Sequence, residues 1–209
     1  MAKIKNGSIS GLLGSLVAYR RNGKDYLRKA PERKEPPTPA ERANRYIFKL
    51  VQEWVNPIND FLKLSFRDYS EENYGANAAK SLIHRHALTR DGFDSYIDPS
   101  KVQVSSGSLS LPSQMEVVLE NDRQLRFSWQ GGSGRAGDRV MVLAYEIQTK
   151  TAKYELNGAR RAEGTETLSL SGYPDGTYHL YAAFMSMDGE NQSDSRYLGS
   201  LKVGTEEEL

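Results

Sequence analysis

The glycine-rich segment GSGRAG at residues 132–137 is the first place in this sequence to look for ligand chemistry. Its glycines have the spacing G-x-G-x-x-G, and the segment follows a predicted strand. In a dinucleotide site a helix comes next, and its N-terminus receives the pyrophosphate. Here residues 140–145 predict another strand. We therefore interpret the segment as a flexible loop between strands.

The histidines and cysteines offer no pattern for catalysis or metal binding. His84 and His86 are two residues apart on a predicted helix, so they point to different faces, and His179 falls in a predicted strand. The chain has no cysteine, which excludes disulfides and thiolate chemistry, and it has no G-x-S-x-G motif. The sequence therefore predicts no catalytic residue, no cofactor and no metal site, and favours a protein that is not an enzyme.

Charge is distributed unevenly along the chain. The net charge of all 209 residues is +1, but residues 1–34 hold nine basic and two acidic residues, a net charge of +7. The remaining residues carry −6, including an acidic tail at 205–209. A basic segment of this kind can bind nucleic acid, an anionic partner surface or the acidic part of a neighbouring copy, and it can also be a plain solvated terminus.

A β-hairpin is predicted within this basic segment. Asn22-Gly23 is a strong signal for a tight turn, and Tyr19 and Tyr26 flank it symmetrically. An isolated hairpin is marginally stable in water, so it should pack on the rest of the chain or on another subunit. The predicted interaction residues are Tyr19, Arg20, Arg21, Lys24, Tyr26 and Arg28.

Behind the hairpin, the sequence predicts a proline-rich linker and then a helical segment. Pro31, Pro36 and Pro37 favour an extended spacer, so residues 1–37 form a basic, glycine-containing arm with its linker. Thr38 and Glu41 form a capping box that begins a helix. Apolar residues at three- and four-residue spacing then predict three helices over 38–98.

The last predicted unit, residues 99–204, is rich in strands. Strands are expected near 102–105, 115–119, 125–129, 139–147, 153–156, 166–170, 177–187 and 196–203. Short strands at this spacing predict an immunoglobulin-like or fibronectin type III-like β-sandwich, with Tyr178 as its tyrosine corner. The predicted fold class is α+β: a basic β-hairpin arm, a small helical segment and a β-sandwich.

The chain resembles an uncharacterised family of domain-of-unknown-function proteins from Bacteroidetes over nearly its whole length. At the N-terminus the resemblance rests on Ile4-Lys5-Asn6-Gly7, Gly11, Gly14, Tyr19, Asn22-Gly23, Tyr26, Arg28 and Pro31. At the C-terminus it rests on Ala144-Tyr145, Gly158-Ala159-Arg160-Arg161, Gly164, His179, Tyr181, Ala183, Phe184, Ser186, Asp188-Gly189, Tyr197, Leu198 and Gly199. The family carries no assigned activity, so the resemblance implies one shared architecture and no catalytic residues.

Three functions remain open from the sequence. The favoured one is a structural or assembly protein whose arm docks on a neighbouring subunit or partner, in a phage particle or a surface complex. The second is nucleic-acid binding through the arm, and the third is carbohydrate or protein recognition by the sandwich, for which twelve tyrosines would be suitable. No apolar run is long enough to span a membrane, and the residues after Lys5 make a poor secretory signal. We therefore expect a cytoplasmic protein or one assembled into a particle.

Overall fold

A computed structural model describes residues 3–5, 8–21, 23–32, 36–67, 69, 75–121 and 123–204. Asn22, residues 33–35 of the predicted linker and the acidic tail at 205–209 lie outside the described residues. The chain divides into two compact units, Met1–Glu41 and Arg42–Leu209, and we call the second unit the body. Strands and helices both contribute, which confirms the α+β class.

The arm is a single antiparallel sheet. Its strands are β1 (Lys3–Lys5), β2 (Ser8–Leu13), β3 (Leu16–Arg21) and β4 (Lys24–Lys29), and they pair in that order. The predicted hairpin is formed by β3 and β4, with Tyr19 opposite Tyr26. Gly23 has a φ of 75°, the left-handed conformation that the predicted turn requires. The sequence pattern indicated this hairpin and did not indicate β1 and β2.

The helical segment begins at the predicted capping box. The backbone N–H of Glu41 donates to Thr38 Oγ1 at 3.2 Å, and the N–H of Thr38 donates to Glu41 Oε2 at 2.7 Å. The segment contains α1 (Pro39–Val55), α2 (Asn59–Ser65), α3 (Ala76–Leu82), a π-helical turn (Ile83–Ala87) and a small hairpin of β5 (Leu88–Thr89) and β6 (Tyr96–Ile97).

Seven strands form the rest of the body. They are β7 (Gln114–Asn121), β8 (Gln124–Gln130), β9 (Arg139–Glu146), β10 (Thr151–Glu155), β11 (Thr165–Ser169), β12 (Gly176–Met185) and β13 (Arg196–Val203). One antiparallel sheet has the order β10-β9-β12-β13, and the other has the order β11-β8-β7.

The four-stranded sheet is covered on both faces. Along β9, Val140, Val142 and Ala144 pack into a core with the three-stranded sheet. The residues between them, Met141, Leu143 and Tyr145, pack into a second core with the helices. Because both faces are buried, β9 is apolar at almost every position, and polar residues do not alternate along it as they do along a half-exposed strand.

The prediction of a strand at residues 102–105 is wrong. Residues 102–105 join no sheet, and the chain bends at Val104, whose backbone groups are bonded by serine hydroxyls in place of a strand partner. The N–H of Val104 donates to Ser195 Oγ at 2.9 Å, and Ser65 Oγ donates to the carbonyl of Val104 at 2.6 Å. These hydroxyls satisfy the backbone and tie the end of α2 to the chain just before β13.

Candidate interaction site on the N-terminal arm

The register of the arm decides which side chains share a face. Successive residues of a strand point to opposite faces, and directly paired residues share one. The pairs Tyr19–Tyr26 and Arg21–Lys24 therefore lie on one face, together with Arg28. We call this the aromatic–basic face, and it also carries Leu12 and Val17. Five of the six predicted interaction residues are brought together there.

The two tyrosines form a stacked pair on this face. Their ring centroids are 5.4 Å apart, and their planes differ by 16°. The guanidinium carbon of Arg28 lies 5.7 Å from the centroid of the Tyr19 ring, within the range of a cation–π contact. Arg21, Lys24 and Arg28 are all exposed, and the described residues of β2, β3 and β4 put no acidic side chain on this face. The face therefore offers positive charge and flat aromatic surface to an anionic partner.

Arg20, the sixth predicted residue, lies on the other face. It is paired with Asp25, and its Nε is 3.8 Å from Asp25 Oδ1. Its guanidinium also donates to the carbonyl of Gly23 at 3.1 and 3.2 Å. These contacts hold Arg20 against its own turn and partly neutralise its charge, so it does not belong to the aromatic–basic face.

The opposite face carries an apolar patch beside its charged residues, and the predicted interaction residues did not include it. Leu13, Leu16 and Leu27 surround Ala18 in the register of β2, β3 and β4, and we call this the leucine face. Ala18 is 4% exposed, whereas the three leucines are 42–65% exposed. Leu16 and Ala18 have the two-residue spacing of one strand face, and a hairpin centred on Asn22-Gly23 places Leu27 opposite Ala18, so the sequence contained the signal for this face.

The GSGRAG segment lies between β8 and β9, as predicted for an inter-strand loop. A Cβ added to Gly134 would lie 2.1 Å from Cζ of Arg161. That guanidinium stacks on Phe184, 4.1 Å from the ring centroid, and Nη2 donates to the carbonyl of Ser110 at 2.6 Å. Arg161 is also 3.4 Å from the buried carboxylate of Asp138. The loop thus covers a buried arginine, and this close packing explains why a glycine stands at position 134.

The histidines occupy separate places in the body. The ring of His84 lies 5.0 Å from that of Phe48, and burial lowers the pKa of His84, with a further contribution from Arg90. His86 is exposed. His179 lies with Nδ1 2.9 Å from the hydroxyl of Tyr197, and burial lowers its pKa as well. Each histidine therefore has a local packing role or faces solvent.

The part of the chain that the structure describes has neither a cluster of metal ligands nor a helix that could span a membrane. No group of three histidine, aspartate or glutamate side chains in that part could hold a metal ion. None of its helices combines the length and the apolar character needed to cross a membrane.

Comparisons with known proteins identify a family of unknown function. A family model described as "Family of unknown function (DUF6266)" matches residues 7–199. This confirms the resemblance to an uncharacterised family. A comparison with curated proteins finds no match.

Proposed function

The chain belongs to DUF6266, a family of unknown function, and from its own geometry we propose that it is a non-enzymatic assembly protein. In this proposal, the arm docks through its aromatic–basic face on a neighbouring copy of the chain. The observation that carries the proposal is the gathering of Tyr19, Tyr26 and three exposed cations on one face of the arm. Aromatic residues and arginine are enriched where proteins contact each other.

The distribution of charge supports a second copy as the partner. The sequence of Met1–Glu41 carries a net charge of +5, and that of Arg42–Leu209 carries −4. Complementary charge accelerates association and selects orientation, while two basic faces repel each other. We therefore expect the arm of one copy to bind the body of another copy.

The body in this proposal is a fibronectin type III-like sandwich that serves as the scaffold. The three-stranded order β11-β8-β7 and the four-stranded order β10-β9-β12-β13 support this assignment. The hydroxyl of Tyr178 donates to the carbonyl of Pro174 at 2.7 Å, as in a tyrosine corner. Trp129 is buried in the core between the sheets. We place such a protein in a larger assembly, a phage particle or a surface complex, built from parts made in the cytoplasm.

The test compares charge reversal on the arm with the same reversal on the body. We expect R21E combined with K24E to lower the association constant by about tenfold or more, because two cations of the contact are replaced by anions. The control, R42E combined with R45E, changes the charge equally at exposed positions of α1. Light scattering gives the solution mass of each protein, and circular dichroism checks that it is folded. Unchanged association of the folded arm variant would rule out the proposal.

Nucleic-acid binding is the second candidate, and the stacked tyrosines favour it. Successive bases can stack on aromatic side chains while nearby cations contact the phosphates. A fluorescent single-stranded oligonucleotide, titrated at several salt concentrations, separates the two functions. Binding that weakens with salt and is lost in R21E/K24E would favour this candidate over docking between copies. The alternative of recognition by the sandwich has less support, because Tyr145, Tyr178 and Tyr181 are buried and unavailable for contact.

A further inference from the structure

We propose that the leucine face of the arm packs against the leucine face of a second copy, giving a dimer of two stacked arm sheets. This contact uses the face opposite to the aromatic–basic one, and it does not depend on the proposed function. Its residues are Leu13, Leu16 and Leu27, arranged around Ala18.

A sheet with an apolar face needs a second layer to cover that face. Sheets are stable when an apolar face is buried against another element. The described residues of the arm, 3–5, 8–21 and 23–32, form the four strands and their turns and supply no such layer. The exposed fraction is 44% for Leu13, 42% for Leu16 and 65% for Leu27. A contiguous patch of exposed leucines is typical of a surface that contacts another protein.

The charges on the two faces of the arm favour a second copy as the occupant of the leucine face. On the leucine face Arg20 is opposed by Asp25 at 3.8 Å, and Lys29 lies 3.5 Å from Glu32. The charges near the leucines are therefore balanced within the arm. On the aromatic–basic face Arg21, Lys24 and Arg28 have no opposing acid among the described residues of β2 to β4. Two copies can therefore bring like faces together only through the leucine face.

Pairing along either edge of the arm sheet is disfavoured, and the edge strand β1 has lysines at positions 3 and 5. The edge strand β4 carries Lys24, Arg28 and Lys29, and charged residues at an edge oppose the addition of another strand. A contact between identical faces also closes with two-fold symmetry, the commonest arrangement of protein dimers. Stacked sheets about 10 Å apart would place the leucines of the two copies in one apolar layer.

Two adjacent leucines provide a matched test. Leu12 and Leu13 are both exposed residues of β2, but Leu12 lies on the aromatic–basic face and Leu13 on the leucine face. We expect L13K to raise the dimer dissociation constant by about tenfold or more, because the lysine would be buried without a partner. L12K should leave it unchanged. Sedimentation at high salt, where docking between arm and body is screened, measures both constants. Equal weakening by both variants, or by neither, would overturn the proposal.

Cross-linking gives an independent test that does not depend on whether L13K folds. The chain has no cysteine, so a single introduced thiol reports one position. Because sheets stacked about 10 Å apart hold facing Cα atoms beyond the reach of a disulfide, a thiol-reactive bifunctional reagent with a span of about 10 Å is used. It should link L27C to its copy and should leave L12C largely unlinked. The proposal is overturned if L27C and L12C link equally or if neither links. Combining L27C with R21E/K24E separates the two hypotheses, because loss of docking between arm and body should leave this link intact.

Discussion

Gly134 lies against the guanidinium of Arg161, and a methyl group there would have no space. The added Cβ would be 2.1 Å from Arg161 Cζ. The guanidinium is confined, because it stacks on Phe184, Nη2 donates to the carbonyl of Ser110 and Nε lies 3.4 Å from Asp138, while Nη1 has no hydrogen-bond partner among the described residues. We expect G134A to lower the free energy of unfolding by about 1–3 kcal/mol, as for other overpacked sites. Urea unfolding followed by circular dichroism measures this change.

Gly137, in the same loop, is the matched control. Its added Cβ would meet Met187 Sδ at 3.4 Å, and Met187 is 80% exposed and free to yield. Neither glycine has a positive φ, so alanine is compatible with the backbone at both positions. G137A should therefore change the free energy of unfolding by less than about 0.5 kcal/mol. Equal losses in the two variants would show that the loop requires glycine for a reason other than its packing on Arg161.

At the scale of elements, two buried tyrosines on adjacent strands have different environments. Tyr178 on β12 donates its hydroxyl to Pro174 and so fixes the turn before the strand. Tyr145 on β9 packs against Trp54 of α1, with ring centroids 5.0 Å apart, and its buried hydroxyl has no partner among the described residues. Burial raises the pKa of Tyr145 well above the usual value, so the phenol stays neutral.

These environments predict opposite results for the same substitution. Y178F removes the hydrogen bond that fixes the turn before β12, so we expect a loss of about 1 kcal/mol in the free energy of unfolding. Y145F removes an unpaired buried hydroxyl and should be neutral or stabilising. Urea unfolding at neutral pH compares the two variants directly. A loss in Y145F as large as that in Y178F would contradict the unpaired hydroxyl.

Elements with local signals could be predicted from the sequence, and those that depend on distant contacts could not. The capping box of Thr38 and Glu41 and the Asn22-Gly23 turn act within a few residues, so the start of α1 and the hairpin were predictable. Residues 102–105 look like a strand, but the hydroxyls of Ser65 and Ser195, both distant in the sequence, bond the backbone of Val104. The strand β1 has only three residues, too few for a recognisable pattern, and in β2 Gly11 and the adjacent Leu12 and Leu13 interrupt the alternation. For the candidate site, the residue types were predictable, whereas their division between two faces required the register.

At the scale of the whole molecule, the two proposed contacts of the arm differ in their physical nature. The contact through the aromatic–basic face depends on opposite charges of +5 and −4 on the two units. The contact through the leucine face depends on apolar area, which salt screens little. Screening lengths fall from about 10 Å at 0.1 M salt to about 3 Å at 1 M, so exposed charges on separate surfaces lose most of their attraction.

Salt should therefore dissociate the assembly in steps. We expect light scattering to show species larger than a dimer at about 0.1 M sodium chloride and a dimer at about 1 M, because only the leucine contact persists at high salt. R21E/K24E should be dimeric at both concentrations, and L13K should become monomeric at high salt. A monomer at both concentrations would exclude both contacts. If the unmodified chain still forms species larger than a dimer at high salt, the assembly depends on apolar contacts alone. The charge asymmetry between the two units would then have no role in assembly.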